Sequence, residues 1–409
     1  MNSSYEQKHP LYAASFTKRR KAMDLYEGGE RIEGNRAYLT RHTYESDKQY
    51  DIRASRATYR NFAAPIVDVF ASFINEGRPE RILPDALRPI EADADRYGMT
   101  ADAFFADVTR LAAAGGARFV IVDMEQKKGE TVAEDRASGR RMVPYFTSIS
   151  PDDVWDWGMD AKGLAWAVVH SEEMEHPAAF AAPLRYETLT VWTRDSWTRY
   201  HRPMKDKENT EYAIAEDGER KHGLGAVPLV PFLFEPTSPM TGLPATDDVL
   251  SLILRIYRRD SELDKMLFDR AVPLLNVGGV SQEHWDTFVV ASSNALMSTE
   301  PGGITAQYVE PVRHRVSGAG RSPCPRRGQR AGNLPSYGPS AIRRGRVRRV
   351  QGHRQNTARH AACQLRPAQR QRAEALCWKL AARWLGAKED GSEATVKIKG
   401  QTPAKEGQG

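Results

Sequence analysis

The sequence predicts an α+β fold, with helices packed on a mixed β region and one long stem-type helix. Three observations predict it. Apolar residues recur with helical spacing in four stretches, residues 11–27, 46–76, 101–114 and 247–269. Between 117 and 234 they form short apolar runs bounded by turn residues, which read as strands. The chain has 409 residues, 40% of them apolar, enough for two or three domains or one elongated multi-part subunit.

The elements follow in order. Residues 11–27 read as a helix with a basic turn, Lys18 to Lys21, ended by Gly28-Gly29; that turn reads as a solvated face. Residues 46–76 read as largely helical, with Pro65 placed to kink or restart the helix. Phe62, Ile66, Val69, Phe70 and Phe73 make one wide apolar stripe, and Arg78-Pro79 ends it. The next helix, 101–114, has Thr100 as N-cap and Gly115-Gly116 as C-cap. A buried strand follows at 117–124, then a charged loop around Lys127-Lys128. Strands are expected at 143–149, 164–170 and 187–193, with a short pair at 197–201 and 211–214. The Pro-bounded run 228–234 reads as an edge strand or an extended segment. In the long helix, Thr246 is the expected cap, and Asp247 and Asp248 lie in the first turn, where the helix dipole favours anions. Residues 273–279 read as strand plus turn and 281–290 as a short helix capped by Ser281.

The net charge of +6 conceals an uneven distribution. Residues 313–372 hold 16 Arg and no Lys, Asp or Glu; without them the chain has 43 basic and 53 acidic residues. The stretch has no period of 3.6 or 2 that would give a buried face. Its composition is what a GC-rich gene yields when read out of frame. Two compensating frame errors account for it, one between about Val312 and Arg321 and one between about Gln371 and Glu374. The alternative is a disordered basic linker that binds nucleic acid by counterion release. From about Ala373 helical spacing returns, with Leu376, Leu380, Trp384 and Leu385 on or near one face. Cys324, Cys363 and Cys377 all lie in or just after the stretch, so the first 323 residues carry no disulfide framework. The polar segment 1–9 has no signal-peptide character, and no apolar run reaches the length of a membrane span, so a cytoplasmic site of synthesis is expected.

Catalytic, cofactor and metal residues are all expected to be none. The chain has no GxxxxGK[ST] or GxGxxG loop and no nucleophile elbow. The run from His170 to His176 gathers two His and three Glu but is expected to sit in an exposed loop after a strand. Cys324, His353, His360 and Cys363 match no zinc spacing. Asp152-Asp153 and Asp247-Asp248 are explained by turns and helix starts, and Trp155, Trp157, Trp166 and Trp192 by core or subunit contacts rather than base stacking.

Seven short segments, in order, resemble the portal proteins of tailed phages, the group near the Bacillus-phage type. They are Tyr38-Leu39-Thr40-Arg41 with Glu45-Ser46 to Tyr50, and Tyr59-Arg60-Asn61-Phe62 to Phe73. Next come Gly116 to Asp123, and then Val143-Pro144-Tyr145-Phe146 with Ile149 to Val154 and Trp157. Val227 to Phe232 follows; then Leu254, Tyr257-Arg258, Ser261-Glu262-Leu263, Leu267, Pro273 and Gly278; and finally Ala306 to Pro311. The resemblance returns at 373–398, where Trp378 to Gly386 is similar to a resumed helix and 394–398 to a following strand. It implies a portal-like elongated subunit with a wing-like α+β region at 1–235, a stem and clip-like region at 236–311, the Arg-rich stretch at 312–373 and a residual helix and tail at 374–409. It implies further a closed ring of identical subunits, typically twelve, at one capsid vertex of the virion. The ring would dock terminase, capsid and connector proteins and pass double-stranded DNA non-specifically, with no membrane and no cofactor. It also implies that the chain is not an enzyme. The DNA-contacting residues stay unknown. The competing reading is a nucleic-acid-binding protein acting through 313–372.

Overall fold

The computed structural model describes residues 4–43, 45–76, 79–125, 142–204, 211–271, 274–278, 305–309 and 368–386. The expected loop near Lys127, the helix at 281–290, the strand at 394–398 and the Arg-rich stretch up to residue 367 lie outside them. The α+β expectation holds, but every described ladder is antiparallel, so the β region is not mixed.

Helix α1, Pro10–Glu27, starts on a proline whose missing N–H costs nothing in the first turn, and stops at Gly28, φ 66°. The stretch 46–76 is two helices, α2 Asp47–Arg56 and α3 Ala63–Asn75. The helix restarts at Ala63, with Pro65 in the first turn of α3, where a missing N–H is tolerated. Ser46 and Gln49 form a reciprocal capping box on α2. A short helix α4, Arg88–Ala92, leads to α5, Ala101–Gly115, which Thr100 caps through the Ala103 amide. Gly116 closes α5 at φ 87°, and a Cβ there would stand 2.4 Å from the Gly242 carbonyl oxygen, so only glycine fits.

Strand β1, Ala117–Asp123, is the centre of a three-stranded sheet between β2, Tyr145–Ile149, and β8, Leu229–Leu233. The Pro-bounded run is thus an edge strand, as its prolines require. Five strands form a meander in chain order: β3 Val154–Asp160, β4 Gly163–Glu175, β5 Leu184–Thr193, β6 Ser196–Pro203 and β7 Ala213–Lys221. β3 was not foreseen. β4 was foreseen only to His170. Its polar end stays in the ladder, paired residue for residue with β5 as far as Glu175, and Glu172 reaches Arg185 of β5 at 3.1 Å. The pairs β9 Glu235–Pro236 with β10 Gly242–Leu243, and β11 Leu274–Gly278 with β12 Thr305–Val309, are small ladders. The long helix α6 is Leu250–Ala271, preceded by a 3-10 turn at Asp247–Val249. Thr246 does not cap it: its hydroxyl is buried without a partner among the described residues, and its backbone is not in the extended N-cap conformation. Helix α7 spans residues 368–384.

The chain divides into two units. One comprises Met1–Ile32, Arg60–Ile253 and Val350–Gly409; the other comprises Glu33–Tyr59 and Leu254–Arg349. In the first, β1 is apolar at successive positions because both its faces are buried. Phe119 and Ile121 face the five-stranded sheet, with Tyr12, Trp155, Trp157 and Leu189. Val120 and Val122 face the helices, with Phe105, Phe146, Phe232 and Trp378. Alternating side chains of one strand thus join two cores. In the second unit, Tyr50 donates to the Leu39 carbonyl at 2.6 Å, Arg258 to the Tyr38 carbonyl at 2.8 Å, and Tyr59 meets Tyr257 edge-on.

Candidate functional site

The polar clusters singled out in the sequence fall into structural roles. Arg19 of the basic turn is buried, not solvated. It forks onto Asp152 at 2.9 and 2.7 Å, and the Tyr12 hydroxyl donates to the Asp152 carbonyl. Asp152 therefore anchors α1 on the turn before β3. Lys18 is exposed and pairs with Asp247 at 2.8 Å. His170 is not in a loop but in β4, half-hidden under Trp155, with ring planes 8° apart and centroids at 4.4 Å. Its Nε2 is 3.2 Å from Glu187, and Glu187 also accepts from Arg202 at 2.7 Å. Along β4, residues alternate between sheet faces, so the His170 to His176 run does not converge on one point. Among the described residues no group of His, Cys, Asp and Glu is arranged to hold a metal ion. Nor is any described helix long and apolar enough to cross a membrane. Cys324, His353, His360 and Cys363 lie outside the described residues. Trp155, Trp157 and Trp192 are buried in the core between the sheets, as expected, while Trp166 is exposed.

Two buried ion-pair nodes escaped the sequence reading. In the second unit, Glu45 and Arg53 are 4% and 2% exposed. Arg53 donates to both Glu45 oxygens at 2.8 Å, to the Thr40 carbonyl at 2.8 Å and to the Ser261 hydroxyl at 3.3 Å; the His42 amide also donates to Glu45. The hydrogen bond from Arg53 outweighs burial and holds the Glu45 carboxyl down at about 2. In the first unit, Arg81 donates to Glu374 at 2.6 Å and pairs with Asp102 at 2.6 Å. Burial works against the charge on Arg81, but Glu374 and Asp102 more than offset it, and its pKa stands above the ordinary value. Arg370 lies beside them, 3.9 Å from Glu374, and burial pushes its pKa down. No periodicity in the sequence announces a pair 293 positions apart.

The chemistry of these nodes is mechanical: they tie segments distant in sequence into one unit. That leaves two helix faces turned outward. On α3 the buried positions are the small ones, Ala63, Val67 and Ala71, whereas Phe62, Val69 and Phe73 of the expected core stripe are 44%, 53% and 60% exposed. The small side chains let α3 lie close on α1 and α5; Phe70 and Ile74 pack at the edge of that contact, Phe70 edge-on to Phe234, and Phe62, Val69 and Phe73 are left outside. On α6, Leu263, Met266 and Leu267 are 52%, 44% and 57% exposed. A single exposed leucine means little, but two such helix faces mark candidate contact surfaces.

No protein-family model matches the sequence, and no curated protein matches it. Among solved structures, three chains of gene transfer agent particles are similar. A chain in the virion of the native particle is 12% identical, with 72% of this chain and 67% of that one covered and a TM-score of 0.31. One in the neck of the native particle, computed with C12 symmetry, is 13% identical over 73% and 68%, also at 0.31. One in the neck of the empty particle, computed with C6 symmetry, is 12% identical; this chain spans 58% of its length, again at 0.31.

Proposed function

We propose that the chain is a subunit of a phage-type portal, a closed ring at one capsid vertex that passes double-stranded DNA and docks terminase and the head-to-tail connector. What carries the reading is the order of the portal-like segments together with how they pack. Gly116 to Asp123, Val143 to Phe146 and Val227 to Phe232 resemble the family at separate places. In the fold they are neighbouring strands β1, β2 and β8 of one sheet, with flanking residues. The resemblance resumes after the Arg-rich stretch, and Trp378 of that resumed helix packs on Phe105 and Phe146 at 6.4 and 5.3 Å between ring centroids. Segments separated by some 230 positions therefore build one core, which supports a single ancestral subunit over two unrelated pieces. The ring is not an enzyme in this reading: it holds the channel while motor chemistry belongs to its partner.

Negative-stain microscopy of the purified chain, and of a version with residues 313–372 returned to the frame of their flanks, tests this. Annular particles are expected from the corrected chain. A corrected chain that stays monomeric at high concentration would overturn the proposal. The sixteen Arg of 313–372 favour one alternative, a nucleic-acid-binding protein. Its signature is duplex-DNA affinity that falls steeply with salt and disappears when that stretch is deleted.

A further inference from the structure

We propose that neighbouring subunits join through two different helix faces, the outward stripe of α3 on one copy packing against the outward stripe of α6 on the next. The inference rests on the ring reading and adds where and with what polarity the copies meet.

Each stripe is built for contact. At 100° per residue, Phe62, Val69, Phe73 and Glu76 fall on one side of α3 and its ends. Arg255, Arg259, Leu263 and Met266 fall on one side of α6, with Leu267 beside them. Each presents three large apolar side chains, all more than two-fifths exposed, at i, i+3, i+4, i+7 or i+11 spacings that suit helix-on-helix packing.

Charge chooses the occupant. The α3 stripe is edged by the exposed acids Asp68 and Glu76. The α6 stripe carries the exposed bases Arg255 and Arg259. Glu262 lies on the same side, 3.9 Å from His42, so the face carries two Arg to one Glu. Packing α3 on another α3 offers its acids no base, and α6 on α6 leaves Arg in excess, so neither gains what the unlike pairing gains. Unlike faces attract. A contact between two different surfaces of identical chains is heterologous, and repetition of a heterologous contact closes a ring when the rotation allows. The pattern therefore disfavours a two-fold dimer.

The test uses sedimentation velocity and negative-stain microscopy on the full chain, with two variants that alter only exposed positions. V69R/E76R makes the α3 face basic. R255E/R259E makes the α6 face acidic. Each alone sets like charges across the contact and is expected to raise the concentration needed for assembly by roughly tenfold or more. All four substitutions together restore opposite charges and are expected to recover most of the assembly. Unchanged assembly in both two-site variants would overturn the pairing and leave the ring reading standing. Loss in both without recovery in the combination would also overturn it. A wild-type chain that is monomeric at every concentration would bring down the ring reading and the pairing together.

Discussion

The two buried ion-pair nodes differ in how fully the described residues satisfy them. Around Glu45 and Arg53 each ionised group meets several partners, drawn from the backbone and from Ser261. Around Arg81, Glu374 and Arg370, the Arg81 Nη2, Glu374 Oε2 and Arg370 Nε atoms lack a hydrogen-bond partner among the described residues. Both nodes remove charge from water, and among the described residues the first replaces more of the lost hydration. The difference lies in Arg370. It brings a second guanidinium to a carboxylate already engaged by Arg81, and among the described residues it hydrogen-bonds the Ile74 carbonyl at 3.5 Å. The residues lining its site, Ile74, Ala112, Phe232, Phe234 and Ala373 among them, are mostly apolar. Arg370 stands on the Arg-rich side of the inferred frame junction, whereas Glu374, Trp378 and Trp384 stand beyond it and fit. Trp384, for one, donates to the Val122 carbonyl at 2.9 Å. A misplaced residue at the edge of an out-of-frame stretch would leave this imprint.

Four measurements break or sharpen the contrast. The largest effect is expected from Arg53→Met. It strands Glu45 in the better-satisfied node and should cost about 4 kcal/mol, read as faster hydrogen exchange of the α2 amides. An unchanged rate would show that the node is not closed. Acid titration comes next. Glu45 is held at about 2 against an ordinary 4.5. Its folded pKa is depressed, so its contribution is present in full above about 4.5 and is lost as the pH falls toward about 2. The total is about 3 kcal/mol, and Glu45→Gln should flatten the slope of stability against pH in that window. Arg81→Met should cost less, about 2 kcal/mol, because Arg370 is at hand to turn toward Glu374; chemical denaturation of the first unit checks it. A loss as large as that of Arg53→Met would erase the asymmetry. Finally, Arg370→Leu should stabilise the first unit by about 1 kcal/mol, since an under-satisfied charge gives way to an apolar group in an apolar setting. A destabilised variant would mean that Arg370 belongs where it is.

Much of the local structure was legible. Thr100 and Gly116 mark the ends of α5 because a cap needs a side-chain acceptor at one end and a left-handed residue at the other. The apolar run 119–122 announces a buried strand. The α3 face was misread for a clear reason: hydrophobic pattern records which residues are apolar, and α3 is apolar on more than one side. Which side is buried depends on how closely α1 and α5 approach, and the alanines decide that. On α7 the outcome is divided: Leu380 and Trp384 of the expected face pack in the core, Leu376 and Leu385 are exposed, and Ala373, Glu374, Cys377, Trp378 and Ala381 complete the buried side. A buried Glu cannot be read from periodicity, because it is made tolerable by Arg81, a residue on another part of the chain. Likewise the far end of β4 is polar and carries no apolar signal, while β3 hides its signal in Val154, Trp155 and Trp157, three buried residues broken by Asp156 and Gly158.

The α+β class, the ends of α1 and α5, the edge strand at Leu229–Leu233 and the Arg-only composition of 313–372 could be read from the chain alone, because each depends on neighbours within a few residues. Only the tertiary structure decided which helix faces are covered, which carboxylates are buried and with which arginines they pair. Burial and ion pairing are properties of residues brought together in space. A contact such as Arg81 with Glu374 leaves no local trace, because its free energy arises only once water has been excluded from both partners.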